Sequence, residues 1–463
     1  MILTKYHINL VNYPVITNSQ EIHKYMSSLI IEEVLSKLSK KGATDAEVVY
    51  SAGSGVSVSC RQGELDTIEN NQDQSLIITA YKNQAKGTAS TAVVDQANID
   101  LTIEKALVIA GLTEADEAAG LADKSLFCSD FKDLGIYHQQ PKNADDLVEM
   151  ALKANQGAED FAQSNGAELI VDEANVQVGE GSSIYANSQG FYGAKKGSNV
   201  SASVVVIAEQ GGSMEREYWW DAARDSQKLP MLESIGELAA QRTLERLGSR
   251  KIKSTKAPVL FDPSMAKSLI SHLISAISGS ALYQEASFLK DDLHNKILPD
   301  WFNLDEDPFL QGGFASRNFD SNGVQTRQRS IIDEGVLSGF LLSVYSAKRL
   351  GLDTTGNAGG AHNLSVRSDQ NLDSNLIKTM DKGLYVTSLM GQGVNAVTGD
   401  YSRGASGFWV ENGAIQFPVS ELTIAGQLKD MYQSLVAVGS DVDKRSKIYT
   451  GSWLLEEMTI AGD

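Results

Sequence analysis

The stretch SRKIKSTKAPVLFD, Ser249 to Asp262, decides how the chain divides. It is a basic, polar connector that runs into a short apolar strand. Domain boundaries tend to fall in such exposed segments. A chain of 463 residues is also larger than one hydrophobic core sustains, so two domains are expected. With the break near residue 250, residues 1–18 read as an N-terminal tail. Residues 19–250 read as an N-terminal α+β domain of mixed helices and strands. Residues 251–463 read as a β-rich α+β domain with helices, built around a curved, barrel-like sheet.

Upstream of the connector, residues 19–42 carry a helical apolar period with Gly42 as its stop. The pattern then alternates, and residues 47–94 predict four or five strands parted by Gly, Asn and Gln turns. Helices and strands follow again up to a helix over 232–247. Downstream, PSMAKSLISHLISAISG (Pro263 to Gly279) predicts a helix. At about 100° per residue, Ala266, Leu269, Ile270, Leu273, Ile274 and Ile277 share one stripe, and Ser268, Ser271, Ser275 and Ser278 face away. His272 sits at the edge of the serine face. A catalytic zinc typically needs about three protein ligands, and this helix offers at most one.

The other histidines make no H-x-x-x-H pair. His362, in NAGGAHNL, follows two glycines that let a ligand approach the backbone closely. It is either a site residue or a histidine satisfying nearby carbonyls in a glycine-rich turn. Gly391-x-Gly393-x-x-Ala396 follows a strand-like run and resembles a dinucleotide fingerprint, but no helical period follows it. The better reading is a glycine-rich loop, 391–407, wrapped close to another backbone. Tyr401 and Arg403 lie in it, and Arg403 can grip a carboxylate with two hydrogen bonds or hold the loop together. The tract DWFNLDEDPFL lacks calcium-loop spacing and reads as a surface loop.

Composition narrows the function classes. Lys plus Arg is 40 against 59 Asp plus Glu, a formal charge of −19, which disfavours nucleic acid. Cys60 and Cys128 form no C-x-x-C pair and suit a reducing compartment. No run approaches the roughly 18 apolar residues that span a membrane, and the first residues do not read as a secretory leader. A cytoplasmic protein without membrane or nucleic-acid partners is expected.

Long segments carry a family resemblance. HNKILPDWFNLDEDPFLQGG, TGNAGGAHN, MGQGVNAVTGDYSRGASGFWVENG and FPVSELTIAGQLKDM resemble the PmbA/TldE group of the TldD/PmbA peptidase superfamily. So does GVSVSCRQGELDTIENNQDQSLIITAY in the N-terminal half, and the resemblance covers nearly the whole chain. It implies a cytoplasmic heterodimer with a TldD-type subunit, associated with maturing a microcin precursor and degrading the antitoxin CcdA. The TldD-type partner would hold zinc through an H-E-x-x-x-H motif and a further cysteine near its C-terminus. In this chain His272 stands at the first histidine, Leu273 at the glutamate and Ile277 at the second histidine. The cysteine position falls near Thr450. The resemblance therefore implies no metal, cofactor or catalytic residue on this chain. Its expected part is to shape a chamber for an extended peptide substrate, with His362, Gly391, Gly393, Tyr401 and Arg403 as candidate lining. The older label of the family, modulator of DNA gyrase, finds no support in the charge or motifs. Two rivals stand beside this reading. One is a homodimeric peptide-binding scaffold without peptidase activity. The other is an autonomous non-metal hydrolase. A homodimer of the isolated chain fits the leading reading too.

Overall fold

The computed structural model describes residues 19–141, 143–367, 372–373 and 375–463. The expected tail, 1–18, lies outside the described residues. The first helix, α1 (Ser19–Lys40), leads into β1 (Asp45–Arg61), β2 (Glu64–Lys82) and β3 (Ala85–Thr91). Then come α2 (Gln96–Leu112), α3 (Ala144–Ser164), β4 (Leu169–Asn187), β5 (Tyr192–Gln210), β6 (Ser213–Ala223) and α4 (Leu232–Glu245). The six strands make one curled antiparallel sheet in the order β3-β2-β1-β4-β5-β6. Val48, Tyr50, Val58 and Cys60 alternate along β1 and are all buried, so the helices cover one face of the sheet.

Residues 47–94 form three long strands rather than four or five. The chain reverses only at Gln62–Gly63 and Asn83–Gln84, where φ is positive. The polar run around Asn70 and Asn71 does not turn; it pairs with Val56 and Gly55 of β1. Its side chains are exposed, so polarity there marks solvent on both faces and not a break in the ladder.

After the connector, β7 (Thr255–Phe261) and α5 (Pro263–Ala276) open the second half, followed by α6 (Gly279–Tyr283) and β8 (Asn303–Asp307). Next are β9 (Arg329–Asp333), β10 (Val336–Leu337), α7 (Val344–Leu350), β11 (Asn363–Arg367), β12 (Leu372–Asp373) and α8 (Leu376–Met380). The chain ends with β13 (Gly383–Met390), β14 (Asp400–Glu411), β15 (Ala414–Gln427), α9 (Leu428–Gln433), β16 (Leu435–Gly439), β17 (Ile448–Tyr449) and β18 (Trp453–Ala461). Strands β7, β13, β14, β15 and β18 close into a five-stranded barrel, because β18 pairs with both β15 and β7. The barrel-like sheet expected from the sequence is therefore a closed one. A second sheet, β10-β9-β8-β11-β17, stands beside it.

The tract DWFNLDEDPFL is not a surface loop. Its centre is β8, paired on both sides, with Leu304 and Glu306 each 1% exposed. The two halves of the chain also touch. Arg445 stacks 3.9 Å over the Trp219 ring and donates from Nη1 to the Trp220 carbonyl at 2.8 Å. Phe319 packs edge-on to Phe191 beside Tyr185.

Candidate functional site

The site is built on α5 and the neighbouring strand β14. Asp262 caps the helix by accepting from the Ser264 amide at 2.7 Å, and Pro263 occupies the first turn. Ala266, Leu269, Ile270, Leu273 and Ala276 face the barrel core. Leu273 is 2% exposed and Ile277 0%. On the other side Ser268, Ser271 and Ser275 turn their hydroxyls back onto helix carbonyls. They are satisfied locally and offer no nucleophile to His272.

The His272 ring meets the Tyr401 ring edge-on, with centroids 6.1 Å apart. Tyr401, on β14, is 1% exposed. Arg403 lies two residues further along the same face of that strand. His272 Nε2, Tyr401 Oη and Arg403 Nε are all buried, and none has a hydrogen-bond partner among the described residues. Burial pushes the His272 imidazole below its ordinary range, and the Arg403 charge pushes it the same way. Burial raises the Tyr401 phenol well above its ordinary range. At neutral pH the group is thus one cation with a neutral imidazole and a neutral phenol.

The glycines expected to line a chamber are placed by this strand. Gly391 has φ +79°, which favours glycine. Gly393 presses against the Ser402 carbonyl, where a Cβ does not fit, and its own carbonyl accepts from the Ser402 amide at 2.6 Å. Gly393 is therefore committed to packing on β14, while Gly391 is exposed with open space around it. Residues 400–407, read as loop, are strand, so Tyr401 and Arg403 sit on a rigid element. The structure does not bring His362 into this group through any direct contact. His362 is 1% exposed, and its Nδ1 lies 2.9 Å from Glu306 Oε1. Glu306 also accepts from the Asn357 side chain at 2.8 Å and from Arg329 Nε at 2.9 Å. Sequence reading missed Glu306. Its signal was the shared parity with Leu304 in β8, which places both on the buried face.

The position that resembles a metal-binding helix does not fit a metal on this chain. His272 is a lone imidazole with a guanidinium beside it. Leu273 and Ile277 are core side chains. The Thr450 hydroxyl accepts from the Trp453 indole at 2.8 Å. Among the described residues no three His, Cys, Asp or Glu side chains gather to hold an ion. No helix among them is long and apolar enough to cross a membrane.

Comparison with known proteins places this architecture. Models of the PmbA/TldA metallopeptidase match the chain as domain 1 over 46–110, central domain over 137–247 and C-terminal domain over 254–462. The chain is 44% identical over 436 residues to the metalloprotease PmbA of Escherichia coli O157:H7, covering 94% of this chain and 96% of that one. The chain belongs to the PmbA/TldD metallopeptidase family. A crystal structure from Bacteroides thetaiotaomicron, of a protein with the provisional label of modulator of DNA gyrase, aligns with a TM-score of 0.86 at 30% identity. It covers 95% of this chain and 99% of its own. TldE from Thermococcus kodakarensis shares the fold, with a TM-score of 0.78 at 22% identity over 94% of this chain and all (100%) of that one. Family membership supports a peptidase-related role for the PmbA/TldD fold described here.

Proposed function

We propose that this chain is the subunit without a metal site in a cytoplasmic two-chain metalloprotease, paired with a TldD-type protein that holds the zinc. The observation that carries the proposal is the state of α5. Leu273 and Ile277, at the positions of the family's glutamate and second histidine, are 2% and 0% exposed in the barrel core. A leucine cannot act as the general base that peptide hydrolysis needs, and one imidazole does not make a zinc site. The 44% identity to a protein named metalloprotease supports proteolysis as the task of the assembly. In this reading the cleavage chemistry belongs to the partner, and this chain shapes the chamber. Tyr401 and Arg403, on the rigid strand β14, are its lining. Substrates are unfolded or flexible peptides of the kind a microcin precursor or an antitoxin presents, because an extended segment must enter a closed space.

Co-purification with a TldD-type protein, followed by casein cleavage with and without a chelator, tests the proposal. Activity is expected only from the mixture and is lost on chelation. Cleavage by this chain alone contradicts the proposal. A homodimer that refuses the partner favours a scaffold.

A further inference from the structure

Arg403 is a half-buried cation on β14, at the same strand parity as Tyr401, and no carboxylate pairs with it among the described residues. Three other half-buried cations meet a carboxylate: Arg329 meets Glu306 at 2.9 Å, Lys267 meets Asp443 at 2.7 Å and Arg445 meets Asp443 at 2.9 Å. Arg224 instead donates to the Ser198 and Phe314 carbonyls. The chain has 59 acidic residues against 40 basic ones, so Arg403 does not lack a partner for want of acids. No ion pair to it exists among the described residues, and its Nε has no acceptor. Beside it stand two further unpartnered polar atoms, His272 Nε2 and the hydroxyl of Tyr401. Tyr401 is 1% exposed, so its hydroxyl cannot turn to bulk water. Leaving three buried polar atoms unpaired is costly unless something completes them. A guanidinium and a phenol O–H donate, and the imidazole joins them as a donor in the tautomer that carries its proton on Nε2. Their common complement is a small planar anion with two acceptor oxygens.

We infer that His272, Tyr401 and Arg403 form a carboxylate-binding site on this chain, which takes the C-terminal or a side-chain carboxylate of an extended peptide. The inference rests on the chamber reading above for the ligand being a peptide. Arg403 supplies charge and a two-pronged grip, Tyr401 donates to one oxygen, and the edge-on imidazole of His272 closes the third side.

Fluorescence anisotropy on the full chain, without partner or metal, tests it. Three short, unstructured, N-terminally labelled peptides are compared. One has a free C-terminal carboxylate, one a C-terminal amide, and one an amide with a single internal glutamate. The chain should bind one or both acidic peptides about tenfold or more tightly than the neutral amide. Whichever acidic peptide gains identifies the source of the carboxylate. Arg403→Gln should abolish the difference in affinity between that peptide and the neutral amide. Tyr401→Phe, which removes one oxygen and keeps the packing, should cost several-fold against the acidic peptide alone. It also keeps the test valid if Arg403→Gln does not fold. Equal affinity for all three peptides, no binding of any, or discrimination that survives Tyr401→Phe and Arg403→Gln overturns the inference. The two proposals fail separately. Cleavage in the partner mixture without carboxylate discrimination removes only the carboxylate site. Discrimination by a chain that never activates a partner removes only the subunit reading.

Discussion

Leu273 and Ile277 lie in a stripe with Leu269 and Ile270, and packing alone explains them. Restoring the metal-motif residue types there puts two polar groups among core side chains. The double change Leu273→Glu with Ile277→His should destabilise the protein by about 2 kcal/mol or more in urea unfolding. It should not create a protease, and catalysis by that variant would contradict the reading of α5. Glu306 carries the second residue-scale expectation. Burial alone would raise its carboxyl. The His362 hydrogen bond and charge, with the Arg329 charge, outweigh burial and hold it at about 2 against an ordinary 4.5. A depressed folded value means the stabilisation is complete above the ordinary range and drains as pH falls from about 4.5 toward about 2. Asp443, also held at about 2 against burial by Arg445 and Lys267, drains in an overlapping window. Glu306→Gln should therefore leave an acid limb shallower than wild type, but still present. It should also lower stability at neutral pH by about 3 kcal/mol, because the buried Arg329 loses its counter-charge. An unchanged acid limb, followed by urea unfolding at descending pH, would show that Glu306 does not carry that stabilisation.

At the scale of elements, the loop 391–399 and β14 act as one piece. Gly393→Ala forces a methyl group against the Ser402 carbonyl and should cost about 1–3 kcal/mol. Gly404→Ala, one strand position beyond Arg403, meets the Met390 Cβ at an ordinary 3.4 Å and should cost much less. Equal losses in thermal unfolding would mean that the close approach at Gly393 is not tight. These same elements show what the sequence made legible. Helix α5 was readable because a single buried stripe imposes a helical period over its whole length. The end of strand β14, from Gly407, read as a strand, but its first part, 400–406, did not, because Gly399, Gly404 and Gly407 look like turn residues. Gly407 sits within the strand because the Tyr385 carbonyl presses on it, a cross-strand fact that no local pattern carries. Strand β8 was hidden for a different reason. Its acidic residues suggest solvent, yet Glu306 pairs with Arg329 and hydrogen-bonds with His362, both from distant segments. Of the candidate site, Arg403 and Tyr401 were visible as polar residues in a glycine-rich run. Their meeting with His272 was not, since it depends on how α5 lies against the barrel.

At the scale of the molecule, a curled six-stranded sheet and a closed five-stranded barrel are joined through the segment 250–254 and held by Arg445 across Trp219 and Trp220. All three domains of the metallopeptidase family match this chain, while the helix that resembles a metal-binding one carries core leucine and isoleucine, with a guanidinium alongside. On the proposed reading, such a chain keeps the architecture of a peptidase and leaves the cleavage chemistry to a partner. The most direct measurement is elemental analysis of the full chain purified alone, then of its complex with a TldD-type protein. The account predicts far less than stoichiometric zinc in the chain alone, and zinc in the complex in proportion to the partner only. Stoichiometric, tightly bound zinc in the chain alone would contradict it.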